Sequence, residues 1–132
     1  LDPGEVELIE NSNINALTMD KVREYGIDMI IEESIAYLRD KVDAIHVSFD
    51  IDSIDSSYVP GTGTPVKNGL TIEEAKKLLG SLAASGMMVS LDFVELNPLL
   101  DSDDVTSRVS LELLSCVFEN LSTNINDELM LG

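Results

Sequence analysis

Apolar residues along the chain recur with periods that assign most of it to helices and strands. From Met19 onward, Val22, Ile27, Ile30, Ile31, Ile35 and Leu38 recur at spacings near three or four. That spacing predicts an amphipathic helix to about Asp40. Thr18 stands at its N-cap, Asp20 lies in its first turn, and Gly26 predicts a break into two pieces. Just before it, Ile14-Asn15-Ala16-Leu17 reads as a short strand. In Ala44 to Asp52 the period changes to two. Ile45, Val47, Phe49 and Ile51 alternate with His46, Ser48, Asp50 and Asp52, which predicts a strand.

A loop rich in Ser, Pro, Gly and Thr follows, from Ser53 to Gly69. Thr71 caps the next helix, with Glu73 and Glu74 near its positive end, and Ala75, Leu78, Leu79 and Leu82 form its apolar stripe. Gly86 ends that helix. Met87 to Glu95 reads as a second buried strand, stopped by Asn97-Pro98, with Met87 and Met88 as core filler. Asp103 or Asp104 opens a last helix to about Leu121, with Val105, Val109, Leu113, Val117 and Leu121 at helical spacing, and a polar tail occupies residues 122–132. Strands alternating with helices predict an α/β fold with a parallel sheet and helices on its faces.

Composition adds three constraints. The net charge is −17, from 25 acidic and 8 basic residues. That balance opposes nucleic acid and anionic membrane surfaces and favours cationic partners, namely metal ions or an ammonium or guanidinium group. Most of the carboxylates are expected simply to solvate helix faces. No stretch approaches the ~20 apolar residues that span a bilayer. The one cysteine, Cys116, cannot form an internal disulfide, so it is expected to be a buried, inert thiol in a cytoplasmic protein.

Candidate chemistry concentrates in Ser48-Phe49-Asp50-Ile51-Asp52-Ser53-Ile54-Asp55. If the strand runs through both acids, the carboxylates of Asp50 and Asp52 point to one side, roughly 6–7 Å apart. Two such carboxylates repel unless a proton or cation sits between them. A hard divalent ion with oxygen ligands is one resolution. An acidic turn in which Asp52 and Asp55 bond backbone amides is the other. A calcium loop is a weaker idea, since the glycine and terminal glutamate of an EF-hand are absent. His46, the one histidine, lies roughly 13 Å behind Asp50 along the strand and reads as a hydrogen-bonded sheet residue.

The segment Ser48 to Pro65, with its Pro60-Gly61-Thr62-Gly63-Thr64-Pro65 loop, closely resembles the signature of the arginase family of ureohydrolases. Three further stretches agree: Asp2-Pro3-Gly4-Glu5 with the family's substrate-recognition loop, Gly69-Leu70-Thr71 with its entry to the next helix, and Leu91 to Pro98 with the strand that carries the guanidinium-binding carboxylate. The resemblance reaches to about Glu119 and implies a three-layer α-β-α domain, of which residues 1–121 would be the C-terminal part.

It also implies roles. Asp50 would bridge two manganese ions and Asp52 would ligate one of them. Thr64 would line the pocket near the guanidinium, and Glu95 would pair with that group. Asp2, with Glu5 near it, would help recognise the α-amino end of L-arginine. The resemblance further implies a trimer or hexamer. The family's histidine-bearing segments, which supply most metal ligands and a proton shuttle, are not in this sequence. The chain reads as turn-like and mid-motif at Leu1-Asp2, so an N-terminal part of the same protein is expected as its partner. Alone, the chain should bind metal weakly and turn over nothing. Agmatinase is the rival within the class. An inactive arginase-like fragment, or an acidic binding or oligomerisation module, is the rival outside it.

Overall fold

A computed structural model describes residues 2–130 of the chain, with side chains described for residues 2–121. The helices are α1 (Pro3–Glu10), α2 (Met19–Tyr25), α3 (Ile27–Arg39), α4 (Ile72–Ala84) and α5 (Val105–Met130). The strands are β1 (Ile45–Asp50) and β2 (Met88–Val94). They pair in parallel, with Val47 beside Leu91, Phe49 beside Phe93 and Asp50 beside Val94.

The alternation along β1 sorts its side chains. Ile45 and Phe49 are buried and Val47 half-buried, whereas His46 and Ser48 are exposed. Phe49 joins a core built from α2, α3, α4 and α5, in which Ile51, Ile54, Val59, Leu79 and Leu113 are wholly buried. Phe49 and Phe93 pack across the strand pair, ring centres 5.3 Å apart. The helices therefore cover one face of the sheet, and Ser48, Ser90 and Asp92 stand exposed on the other. Among the described residues the architecture is α/β with two layers, and the second helical layer of a three-layer domain is not formed by them. Met87 is buried and Met88 packs against the core, as core filler does. Cys116 is only partly buried, its Sγ 3.7 Å from the Lys76 carbonyl.

Several boundaries differ from the sequence reading. Ile14 to Leu17 is irregular chain rather than a strand. Ile14 is exposed and only Leu17 packs against the core. Four residues can form a ladder only if a neighbouring strand offers its amides, and none pairs there among the described residues. The stretch read as a turn at Asp2 to Glu5 instead opens α1. The Asp2 carboxylate accepts from the amides of Gly4 and Glu5 at 2.9 and 3.0 Å, and the Glu5 carboxylate accepts from the Asp2 amide at 2.8 Å. Asp at N-cap, Pro at N1 and Glu at N3 form a capping box legible in the sequence. Thr71 and Glu74 build the same box on α4, in the place expected. Gly26 separates α2 from α3 with a φ of 84°, a left-handed setting that glycine adopts without steric cost. α5 runs Val105–Met130, past the end expected near Leu121 and into the stretch read as a tail; the side chains beyond Leu121 lie outside the described residues.

Candidate functional site

β1 delivers Asp50 to its C-terminal end, half-buried. The strand stops there instead of running through Asp52, because Asp50 turns the chain. Its carboxylate accepts from the Asp52 amide at 3.0 Å, and its carbonyl accepts from the Ser53 hydroxyl at 2.7 Å. Ile51–Ser53 consequently forms one turn of 3₁₀ helix. Asp52 thus reaches Asp50 by way of a turn, not of the strand pleat. The Asp52 carboxylate nonetheless lies near enough for its charge to act on Asp50.

Burial pushes the Asp50 carboxyl above the ordinary carboxylate value of 3.8. The Asp52 amide opposes this, while the negative charges of Asp52 and Glu95 push further in the same direction. Three acids therefore share one corner with no cationic side chain among the influences on Asp50. Thr64, from the Pro60 to Pro65 loop, donates its hydroxyl to Asp52 Oδ2. Glu95 follows β2 directly, exposed, with a φ of 66°. That left-handed backbone costs a non-glycine residue about 1–2 kcal/mol. It ends β2 before Asn97-Pro98 can and turns the chain at Glu95.

The expected candidates fall into two groups. Asp50, Asp52, Thr64 and Glu95 converge on one corner. Asp2 and Glu5 cap α1, and no described contact links them to that corner. Asp55 takes the amide-bonding role. It accepts from the Ser57 hydroxyl at 2.6 Å, the Ser57 amide at 2.9 Å and the Asn68 amide at 2.6 Å. The Ser57 hydroxyl above all lowers its pKa. Asp55 therefore clasps the loop shut instead of facing the site. His46 shares a 2.8 Å hydrogen bond with Ser90 Oγ and lies 3.5 Å from Asp92, both across the sheet on its open face.

Two features were not read from the sequence. Asp101, rather than Asp103 or Asp104, holds the start of α5. It accepts from the amides of Thr106 and Ser107, each at 2.8 Å. Asp103 and Asp104 instead take positive φ values of 57° and 55°, turning the chain so that those amides face Asp101. Three acids in four residues concealed which one caps. Desolvation pulls the Asp101 pKa upward, but the bonds from Thr106 and Ser107 outweigh it and lower the pKa from 3.8 to about 2. A depressed carboxylate stabilises the fold fully above its unfolded value and ceases to as the pH falls through its folded one. The gap in melting temperature between the parent and Asp101→Asn is thus expected to close between pH 3.8 and about 2. A gap constant across that window, measured by circular dichroism, would remove the charge from the account. The second feature is Thr62, 3% exposed, whose hydroxyl has no described partner.

Residues 1–119 match the model of the arginase family. The chain belongs to the arginase family. The arginase of Bacillus caldovelox is 40% identical over 118 residues, which make up 89% of this chain and 40% of that protein. Its solved structure superposes with a TM-score of 0.85 at 39% identity, over 89% of this chain and 39% of that one. A formimidoylglutamase from Bacillus subtilis gives 0.86 at 29% identity, over 91% of this chain and 37% of its own. The agmatine ureohydrolase of Thermoplasma volcanium gives 0.72 at 30%, over 83% and 35%. This member of the family spans about 40% of the length of the curated arginases it matches. Relatives named for different substrates share its fold, so the fold alone does not select among them.

The family implies manganese. Asp50 and Asp52 offer the oxygen donors a hard divalent cation takes, with no cationic side chain among the influences on Asp50. The donor chemistry fits. The donor number does not complete a site: among the described residues no group of three or more His, Cys, Asp or Glu side chains is placed to hold an ion.

Proposed function

We propose that this chain supplies one part of a two-manganese hydrolase centre that cleaves the guanidinium group of L-arginine to ornithine and urea. The convergence of Asp50, Asp52 and Thr64 beside Glu95 carries the reading. Asp50 would bridge the two ions and Asp52 would ligate one, while Thr64 fixes the Asp52 carboxylate through its hydroxyl. When bound, the metal pair lowers the pKa of water and makes a nucleophile available at neutral pH. Glu95 would pair with the planar, permanently charged guanidinium, for which a carboxylate is the best partner. The capping bonds use Asp2 Oδ1 and Glu5 Oε2. The second oxygen of each lies outside the box, and there they would meet the α-amino end of arginine.

The remaining ligands would come from an N-terminal part of the same protein. Two features support such a partner. The polar face of β1 and β2 lacks a helical layer among the described residues. Beside β2, Met88, Val89, Leu114 and Leu121 line an apolar groove of about 300 Å³, with Val89 71% exposed. Apolar surface of this kind marks an interface. Assembly into a trimer or hexamer is part of the same proposal, as is a cytoplasmic setting.

A second reading, an acidic binding or oligomerisation module without catalysis, draws on the incomplete donor set. Within the enzyme class, the agmatine ureohydrolase and formimidoylglutamase relatives keep those substrates as alternatives to arginine. One assay separates them: urea release by the chain alone, and by the chain combined with a polypeptide carrying the family's histidine segments. The chain alone is expected to release no urea, and the combination to prefer arginine over agmatine. Native-like turnover by the chain alone would contradict the divided site. A preference for agmatine would overturn the substrate, and an inactive combination would favour the binding module.

A further inference from the structure

Thr106 and Asp101 stand outside the corner formed by Asp50, Asp52, Thr64 and Glu95, on the first turn of α5 and in the loop before it. The loop that carries Thr64 nevertheless hangs from them. Residues 63–68 are all exposed, so little packing holds that stretch. Its far side is clasped by Asp55, which accepts from the Asn68 amide, and by the 2.8 Å bond from the Ser56 amide to the Val66 carbonyl. Its near side is fixed at Gly61, and there both halves of one residue's backbone are taken. The Gly61 amide donates to Thr106 Oγ1 at 2.7 Å, and the Gly61 carbonyl accepts from the Asn97 amide at 2.9 Å.

Thr106 is wholly buried, and its own amide donates to Asp101 at 2.8 Å. Asp101 also accepts from the Ser107 amide and hydroxyl, each at 2.8 Å. The loop lies directly against it: a Cβ added at Gly61 would come within 2.6 Å of Asp101 Cβ. Glycine is required there for close approach, not for an unusual φ. The connectivity gives this clamp its meaning. Gly61 is three residues before Thr64, whose hydroxyl holds Asp52. Asn97 is two residues after Glu95. One set of bonds thus ties the loop that steadies a carboxylate of the corner to the strand exit that bears another.

We propose that Thr106, held in place by Asp101, is a positioning residue: its hydroxyl fixes Gly61 and so sets where Thr64 meets Asp52 and how that loop stands relative to Glu95. This rests on reading Asp50 and Asp52 as metal ligands and adds the group that, through Thr64, steadies Asp52. Side chains that fix functional groups from behind commonly matter to a site without touching its ligand.

The test compares the 132-residue chain with Thr106→Val, which keeps shape and removes the hydroxyl, and Thr106→Ser, which restores it. Amide exchange at Gly61 and Mn²⁺ broadening of Asp52 and Thr64 signals are followed by NMR. In Thr106→Val, Gly61 exchange is expected to rise about tenfold over core amides such as Leu79 and Leu113, as befits one lost buried bond. The Mn²⁺ response at Asp52 should weaken, and Thr106→Ser should recover both. Unchanged Gly61 exchange would overturn the clamp, and a freed Gly61 with an unchanged Mn²⁺ response would overturn positioning. Absence of any response in the parent would count against the metal reading instead. The Thr64 methyl shift then decides the clamp: Thr106→Val must move it and Thr106→Ser must leave it. If Thr106→Val does not fold, Asp101→Asn is read by the same signals, with a smaller change in the same direction expected and no change overturning the proposal.

Discussion

Asp50→Asn, in the chain combined with its histidine-bearing complement, is expected to lower arginine hydrolysis by roughly a thousandfold, about 4 kcal/mol of transition-state stabilisation. The substitution is chosen to spare the fold. An asparagine oxygen can still accept from the Asp52 amide, the 3.0 Å bond that forms the turn, so the loop should survive while the bridging charge is lost. Asp50 carries the largest effect because it is half-buried at the end of β1 and bears the charges of both Asp52 and Glu95. Steady-state urea release and manganese content, measured on one preparation, check this together. Activity within threefold of the parent would mean that Asp50 does no more than cap a turn.

Leu113→Ala is expected to have the largest effect on stability. Leu113 is 0% exposed, on the face of α5 that enters the hydrophobic core. Emptying such a site costs about 3–4 kcal/mol, from lost transfer energy and the cavity left behind. Against the 5–15 kcal/mol that holds a typical domain together, that is a large share. Urea denaturation should show a lower midpoint with an unchanged slope. Leu111→Ala, at a position 65% exposed on the same helix, should stay within about 0.5 kcal/mol of the parent. Equal losses at the two positions would contradict the assigned face of α5.

The periodic elements were legible because burial enforces their periods. The spacing from Met19 to Leu38, the alternation from Ile45 to Phe49 and the Thr71 cap each reappear in the structure within a residue or two. Ile14 to Leu17 was not legible, since apolar composition without a pairing edge does not make a strand. The same limit applies at Asp52. Alternation put both carboxylates on one strand face, but the Asp50 side chain bonds the amide two residues ahead and ends the strand, so Asp52 sits in a turn instead. Asp2-Pro3-Gly4-Glu5 shows how a likeness to a functional loop can mask a plain local signal, here a capping box. Glu95 carries a left-handed φ that no residue type announces. Thr106 escaped because its partner, Gly61, is 45 residues away in sequence and meets it only through the tertiary fold.

Manganese bound per chain in the combined preparation decides whether Asp50 and Asp52 hold the metals, with Asp50→Asn and Asp52→Asn measured beside the parent. Two ions per pair of polypeptides are expected in the parent, only weak, substoichiometric binding in the chain alone, and a clear loss in each variant. Two ions retained by the combination after both aspartates are replaced would show that the metals sit elsewhere and that the acidic corner beside Thr64 is only a turn.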